Sequence, residues 1–239
     1  MANPIHRAMA RSHVWQLLAM TFSHPVPELH AQLADGRFQA ALDQSLTAAY
    51  GFVSELPYAQ TPFTVFEAQY IELFDTGQKG RPAVPLCAGE YIDLLDGQPR
   101  PTLMLQYVQF YRHFGLKPRT QGEDKELPDH LSCQLECLAW LAHLEAQAWR
   151  AEKPVHGYQQ AQYDFIEKLL ARFSNLFSQL LARESKKRAC DPLFAALAQV
   201  LHEFQQRNLI EFDSMLATAT PVSVPAEPVA AAATQDLWG

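Results

Sequence analysis

The stretch ELPDHLSCQLECLAWLAHLEAQAWR, Glu126 to Arg150, decides the fold. Pro128 suits the first turn of a helix, where its missing N–H would have had no partner. Asp129 places a carboxylate near the positive end of the helix dipole, either as the cap or as a first-turn residue. At about 100° per residue, Asp129, Ser132, Glu136, His143, Gln147 and Arg150 fall on one narrow stripe. Leu131, Leu135, Leu138, Leu141, Ala142 and Trp149 cover the far side, and no charge interrupts Cys137 to Ala142. The stretch predicts a mostly buried helix with one polar ribbon. An acid and a histidine at its mouth have two readings. In one, Asp129 caps backbone N–H groups and His130 is a satisfied boundary residue. In the other, the pair forms a recognition or ligand site.

The helical period continues on both sides. His6 to Phe22 carries Val14, Leu17, Leu18 and Phe22 on one face. Helices are also predicted over Glu28 to Ala34, Arg37 to Leu56, Thr61 to Phe74, Leu103 to Phe114, Tyr158 to Ala182 and Asp191 to Leu216. Thr61-Pro62 and Asp191-Pro192 pair a cap residue with a first-turn proline. Phe63, Phe66, Tyr70, Leu73 and Phe74 should point inward, and Leu105, Val108, Phe110 and Tyr111 supply the apolar side of the helix before Gly115. Asp75 to Glu90 reads as a long loop and Lys117 to Lys125 as a polar one. Tyr91 to Leu95 is ambiguous. No strand pattern is strong. An all-α, single-domain bundle of about ten helices over residues 1–217 follows, with a disordered Ala/Pro-rich tail over 218–239.

The 239 residues are 48% hydrophobic, enough for a sizeable core. With 19 basic and 26 acidic residues the net charge is −7, which argues against nucleic-acid binding and suits a basic partner segment. Four cysteines are too few for a disulfide scaffold in a chain this long. No N-terminal apolar run has signal-peptide length and no stretch has membrane-span length, so a soluble cytoplasmic protein is expected. His130, Cys133 and Cys137 share a spacing that a zinc ion would accept, but small core cysteines explain it better, and no metal site is expected. No phosphate-binding loop, nucleophile elbow or zinc-protease motif occurs, so no catalytic residue is expected.

Two blocks stand out together. The first is Tyr70-Ile-Glu-Leu-Phe74, followed by Gly77, Gly80, Pro85-Leu86 and Glu90-Tyr91. The second is Glu126 to Glu136, continuing into Leu138-Ala139. In order and spacing they resemble the TorD/DmsD/NarJ group of redox-enzyme maturation chaperones, and look most like the branch serving type II molybdoenzymes of the DMSO-reductase family. The resemblance spans roughly Ala10 to Leu216. It implies a non-catalytic, all-helical, cytoplasmic protein, monomer or homodimer, without a resident cofactor. Such a protein binds the catalytic subunit of a molybdoenzyme, as leader or apo form, before molybdenum cofactor insertion. The leader is often a twin-arginine signal. By the same resemblance, client binding falls to Tyr70, Leu73, Phe74, Pro85, Leu86, Glu90, Glu126, Asp129 and His130. Some relatives carry tryptophan in place of Tyr70. Transient contact with molybdopterin guanine dinucleotide or GTP is a further implication. The alternative is a guanine-nucleotide-binding protein with weak hydrolase activity, using the loop from Asp75 to Glu90.

Overall fold

Residues 3–77, 80–117 and 126–218 are described by a computed structural model, and their architecture is all-helical. The helices are α1 (Pro4–Thr21), α2 (Pro27–Asp35), α3 (Arg37–Tyr50), α4 (Phe63–Tyr70), α5 (Arg100–His113), α6 (Leu131–Arg150), α7 (His156–Phe165), α8 (Ala171–Arg188) and α9 (Pro192–Thr218). A π-helical turn, Ile71–Asp75, extends α4, and another, Ile166–Leu170, joins α7 to α8 without a break. Among the described residues this gives eight rods rather than the ten or so expected. The ambiguous segment after Glu90 adds no rod. It forms only the 3-10 turn Ile92–Leu94, because Gly89 before it and Gly97 and Pro99 after it deny a longer run. The expected loop over 118–125 lies outside the described residues, and so does the tail beyond Thr218.

Helix ends follow local chemistry. Gly51 takes the left-handed conformation (φ 70°) and stops α3 at Tyr50, six residues before the expected Leu56. Asp191 accepts the Leu193 N–H at 3.1 Å and opens α9 as expected. With its second carboxylate oxygen it accepts the N–H groups of Gln60 and Thr61, at 2.8 and 3.1 Å, tying the approach to α4 onto the start of α9.

α6 lies at the centre, against α1 on one side and α7 on another. Leu131, Leu135, Leu138 and Leu141 are fully buried, as the period predicts. Small residues let α1 approach closely: the Ser12 hydroxyl donates to the Ala139 carbonyl at 2.8 Å. Around α6 an aromatic shell closes the core. Trp15 meets Phe204 edge-on at 4.5 Å, and Phe66 stacks on Phe194 at 4.4 Å. Each such side chain contributes about 1.5–3 kcal/mol on leaving water. Leu105, expected inside, is half exposed, and Tyr107 takes the buried place on α5.

A charged network sits inside this core. Arg11 on α1 is buried and donates to Glu145 at 2.5 Å and Glu211 at 3.1 Å. Gln159 and Gln162 donate to the Glu145 oxygens at 3.0 and 2.8 Å. Burial alone would raise the Glu145 pKa, but Arg11 and the two amides hold it below the ordinary carboxylate range.

Candidate functional site

The loop after α4 folds back on its own helix. Val84 N–H donates to the Leu73 carbonyl of the π turn at 2.7 Å. The chain then runs antiparallel to the second block. Leu131 N–H donates to the Leu86 carbonyl at 2.8 Å, Ala88 N–H donates to the Asp129 carbonyl at 3.0 Å, and Cys87 pairs with His130 between them. The two blocks singled out in the sequence are therefore one surface, stitched through the main chain.

Asp129 is fully buried in that seam. Its Oδ2 accepts the Gly89 N–H at 2.8 Å, so its carboxylate caps the 3-10 turn Ala88–Glu90 and not α6. α6 itself begins at Leu131 with His130 as the capping residue, later than Pro128 suggested. Pro128 lies instead in a turn closed by the His130 N–H on the Leu127 carbonyl at 2.9 Å. The Tyr111 hydroxyl donates to the Pro128 carbonyl at 2.7 Å and locks this turn to α5.

His130 lies with Glu126 at the partly buried edge of the seam. Its Nδ1 lies 2.5 Å from Glu126 Oε2 and 2.7 Å from Ser132 Oγ, and the hydroxyl also donates to Glu126 Oε2 at 2.5 Å. On the helix side the Ser132 N–H approaches the same Nδ1 at 3.3 Å, the contact by which His130 caps α6. Burial would raise the Glu126 pKa, but the bonds from His130 and Ser132 bring it below the ordinary value. One turn further on, Glu136 has no such donors. Its buried Oε2 has no hydrogen-bond partner, and burial together with the Glu126 charge raises its pKa to about 8.

Arg100, in the first turn of α5, closes the other side. Its Nη1 donates to Glu90 Oε1 at 2.6 Å, and its Nη2 stands 3.6 Å from Asp129 Oδ2. Gly89 is required here: a Cβ on it would fall 2.7 Å from Arg100 Cγ and 2.8 Å from Asp129 Oδ2.

The nine residues of the sequence reading divide by exposure. Tyr70, Leu73, Phe74, Leu86 and Asp129 are buried. Tyr70 donates to the Phe22 carbonyl at 3.0 Å, and Phe74 packs on Phe177 and Phe194. Pro85 is half-buried, and its carbonyl accepts from the Tyr91 hydroxyl at 2.9 Å. Glu90 reaches solvent, as do Glu126, His130 and the neighbouring Leu127 in part. Sequence reasoning missed Arg100, Gly89 as a close-approach position, and the carboxyl of Glu136. The signal for Arg100 was a cation at the start of a helix, the end that disfavours it.

Cys133 and Cys137 are buried and their thiols are pushed up by burial, which disfavours the thiolate a metal needs. Among the described residues no group of three or more His, Cys, Asp or Glu side chains is placed to hold a metal ion. Nor is any described helix long and apolar enough to cross a membrane.

Comparison with known proteins adds to this geometry. A family model described as nitrate reductase delta subunit matches residues 31–179. The dimethyl sulfide dehydrogenase assembly chaperone protein of Rhodovulum sulfidophilum is 36% identical over 237 residues, covering 98% of this chain and 94% of its own. The perchlorate reductase assembly chaperone protein of Dechloromonas aromatica (strain RCB) is 31% identical over 215 residues, 87% of this chain and 92% of its own. The selenate reductase assembly chaperone protein of Thauera selenatis is 30% identical over 147 residues, 59% and 67% of the two chains.

Proposed function

The chain belongs to the nitrate reductase delta subunit family of redox-enzyme maturation chaperones, and from that premise we propose that it is the dedicated assembly chaperone of one DMSO-reductase-family molybdoenzyme. It acts in the cytoplasm on the catalytic subunit, holding the leader or the apo form until the molybdenum cofactor is in place. The observation that carries this reading is the likeness to assembly chaperones named for two redox enzymes, over 98% and 87% of the chain. Those relatives are chaperones and not catalysts, and this chain is not an enzyme. The nucleotide-hydrolase alternative finds no support among them.

In this proposal the site residues have two jobs. Tyr70, Leu73, Phe74, Leu86 and Asp129 hold the two blocks together. Glu90, Glu126, His130, Pro85 and Leu127 meet the client. Carboxylates around a small apolar rim suit a segment that mixes arginine with leucine-like side chains. The test is recovery of partners from the native host with an affinity-tagged chain. A molybdoenzyme catalytic subunit should copurify, enriched in its cofactor-free form. Recovery of no such subunit, with the enzyme expressed, overturns the reading.

A further inference from the structure

A recess of about 210 Å³ lies between α5, the 3-10 turn Ile92–Leu94 and the π turn Ile166–Leu170. Its walls include Leu94, Leu103 and Leu169. Ala88 and Tyr107, 1% and 0% exposed, form its deep end. Lys168 and Arg172, one helical turn apart, stand at its mouth with side chains 63% and 53% exposed. Lys168 and Leu169 belong to the π turn, and single π turns within helices recur at functional sites.

Charge, polarity and size together define what fits. Two cations line the recess against one carboxylate, Asp96, so one positive charge is left over. Arg172 Nη1 donates to both Asp96 oxygens at 2.8 and 2.9 Å. Lys168 reaches Asp164 at 2.8 Å, outside the recess, in an exposed pair that holds it only weakly. At the deep end, the Tyr107 hydroxyl is buried without a hydrogen-bond partner among the described residues. A buried donor in that state is costly until an acceptor meets it. Burial also raises the Tyr107 pKa, so the hydroxyl keeps its proton and remains a donor. An apolar cavity of about 150 Å³ takes a benzene ring, and by that measure this recess encloses about eight or nine non-hydrogen atoms.

We infer that this recess binds a small monocarboxylate with a compact apolar body and a hydrogen-bond acceptor at its far end. The carboxylate sits at the mouth between Lys168 and Arg172. The apolar body fills the space among Leu94, Leu103 and Leu169. The acceptor takes the Tyr107 hydroxyl. The site lies behind the seam and not in it, because Ala88 lines the deep end and donates its N–H to the Asp129 carbonyl. Occupancy therefore braces the main chain that joins the two blocks, a small-molecule input that depends on no client.

The probe is para-acetylbenzoate, which pairs one carboxylate with an acceptor-only carbonyl across a ring. It is titrated into the full chain by calorimetry, with the NMR shift of the Ala88 amide reporting the place of binding. Para-acetylbenzamide removes the charge, and para-isopropylbenzoate removes the acceptor at nearly the same volume. Wild type should bind the probe with a Kd of about 1 mM or tighter, and each control at least about tenfold more weakly. Lys168→Gln should weaken the probe at least about threefold and leave the benzamide unchanged. Tyr107→Phe should bind the probe and para-isopropylbenzoate equally, because the donor that tells them apart is gone. No binding of the probe at about 10 mM, wild-type affinity for either control equal to that for the probe, or full affinity in Lys168→Gln overturns the site. If Tyr107→Phe does not fold, the two controls on wild type decide the same question. Failure here leaves the chaperone reading standing, because copurification of a molybdoenzyme subunit is scored separately.

Discussion

Replacing Asp129 with alanine would leave the Gly89 N–H without its acceptor and the Arg100 guanidinium without its buried counter-charge. We expect Asp129→Ala to cost about 2–4 kcal/mol in chemical denaturation, the range for stranding buried polar and charged partners. His130→Ala, at the solvent edge, should cost about 1 kcal/mol, as a lost cap does. Equal, small losses for the two would mean that the seam is not held by the Asp129 carboxylate. Glu136 makes the opposite prediction. Its folded-state pKa of about 8 lies above the ordinary 4.5, so the folded chain keeps a proton that the unfolded chain gives up. Stability from this group is complete below pH 4.5 and is lost as pH climbs toward 8. Glu136→Gln removes that loss. Its Tm should exceed that of wild type at pH 8, and the gap should close toward pH 4.5. A pH-independent difference would reject the assignment. Exposure of Gln147 and Arg150 agreed with the polar stripe read from sequence. The burial of Asp129 did not, because its partner is a loop 40 residues away, and helical periodicity carries no information about that.

Among the elements, α6 was the most legible, since four leucines at helical spacing can hide only against other helices. Its true start was not. The Leu131 N–H is taken by the Leu86 carbonyl, a tertiary contact that overrides the preference of Pro128 for a first turn. The two π turns were invisible for a related reason: one extra residue in a helix leaves the apolar pattern nearly intact. The α1–α6 pairing hides its strongest polar contact as well, because nothing in the sequence pairs Arg11 with a carboxylate 134 residues away. Glu145→Ala should destabilise the protein by about 3–5 kcal/mol, since it strands a buried guanidinium. A joint Arg11→Met, Glu145→Leu change should cost less than that single substitution. A double variant weaker than Glu145→Ala would show that the network contributes more than its own desolvation. Gly89→Ala belongs to this scale too. Its Cβ would collide with Arg100 and Asp129, so it should loosen the 3-10 turn and speed proteolysis between residues 84 and 91 while sparing α6.

For the whole molecule, the net charge of −7 and the carboxylates at the seam suit the proposed client if it brings positive charge. Affinity for the catalytic subunit should fall as salt rises from about 0.05 to 0.5 M, because exposed pairs are screened over about a Debye length. Salt-independent binding would move recognition to apolar contacts alone. The helical class could be read from composition and period together, whereas the joining of the two blocks is a long-range main-chain contact that neither carries. The close packing of α1 on α6 reaches beyond stability. Arg11 and Glu145 are 134 residues apart in the chain. A ribosome adding about 5–20 residues per second needs on the order of ten seconds to travel that distance. For that time the side of α1 that packs on α6 stands on a nascent chain without its partner. A protein that shelters an unfinished enzyme thus begins life as an unfinished chain needing shelter of its own.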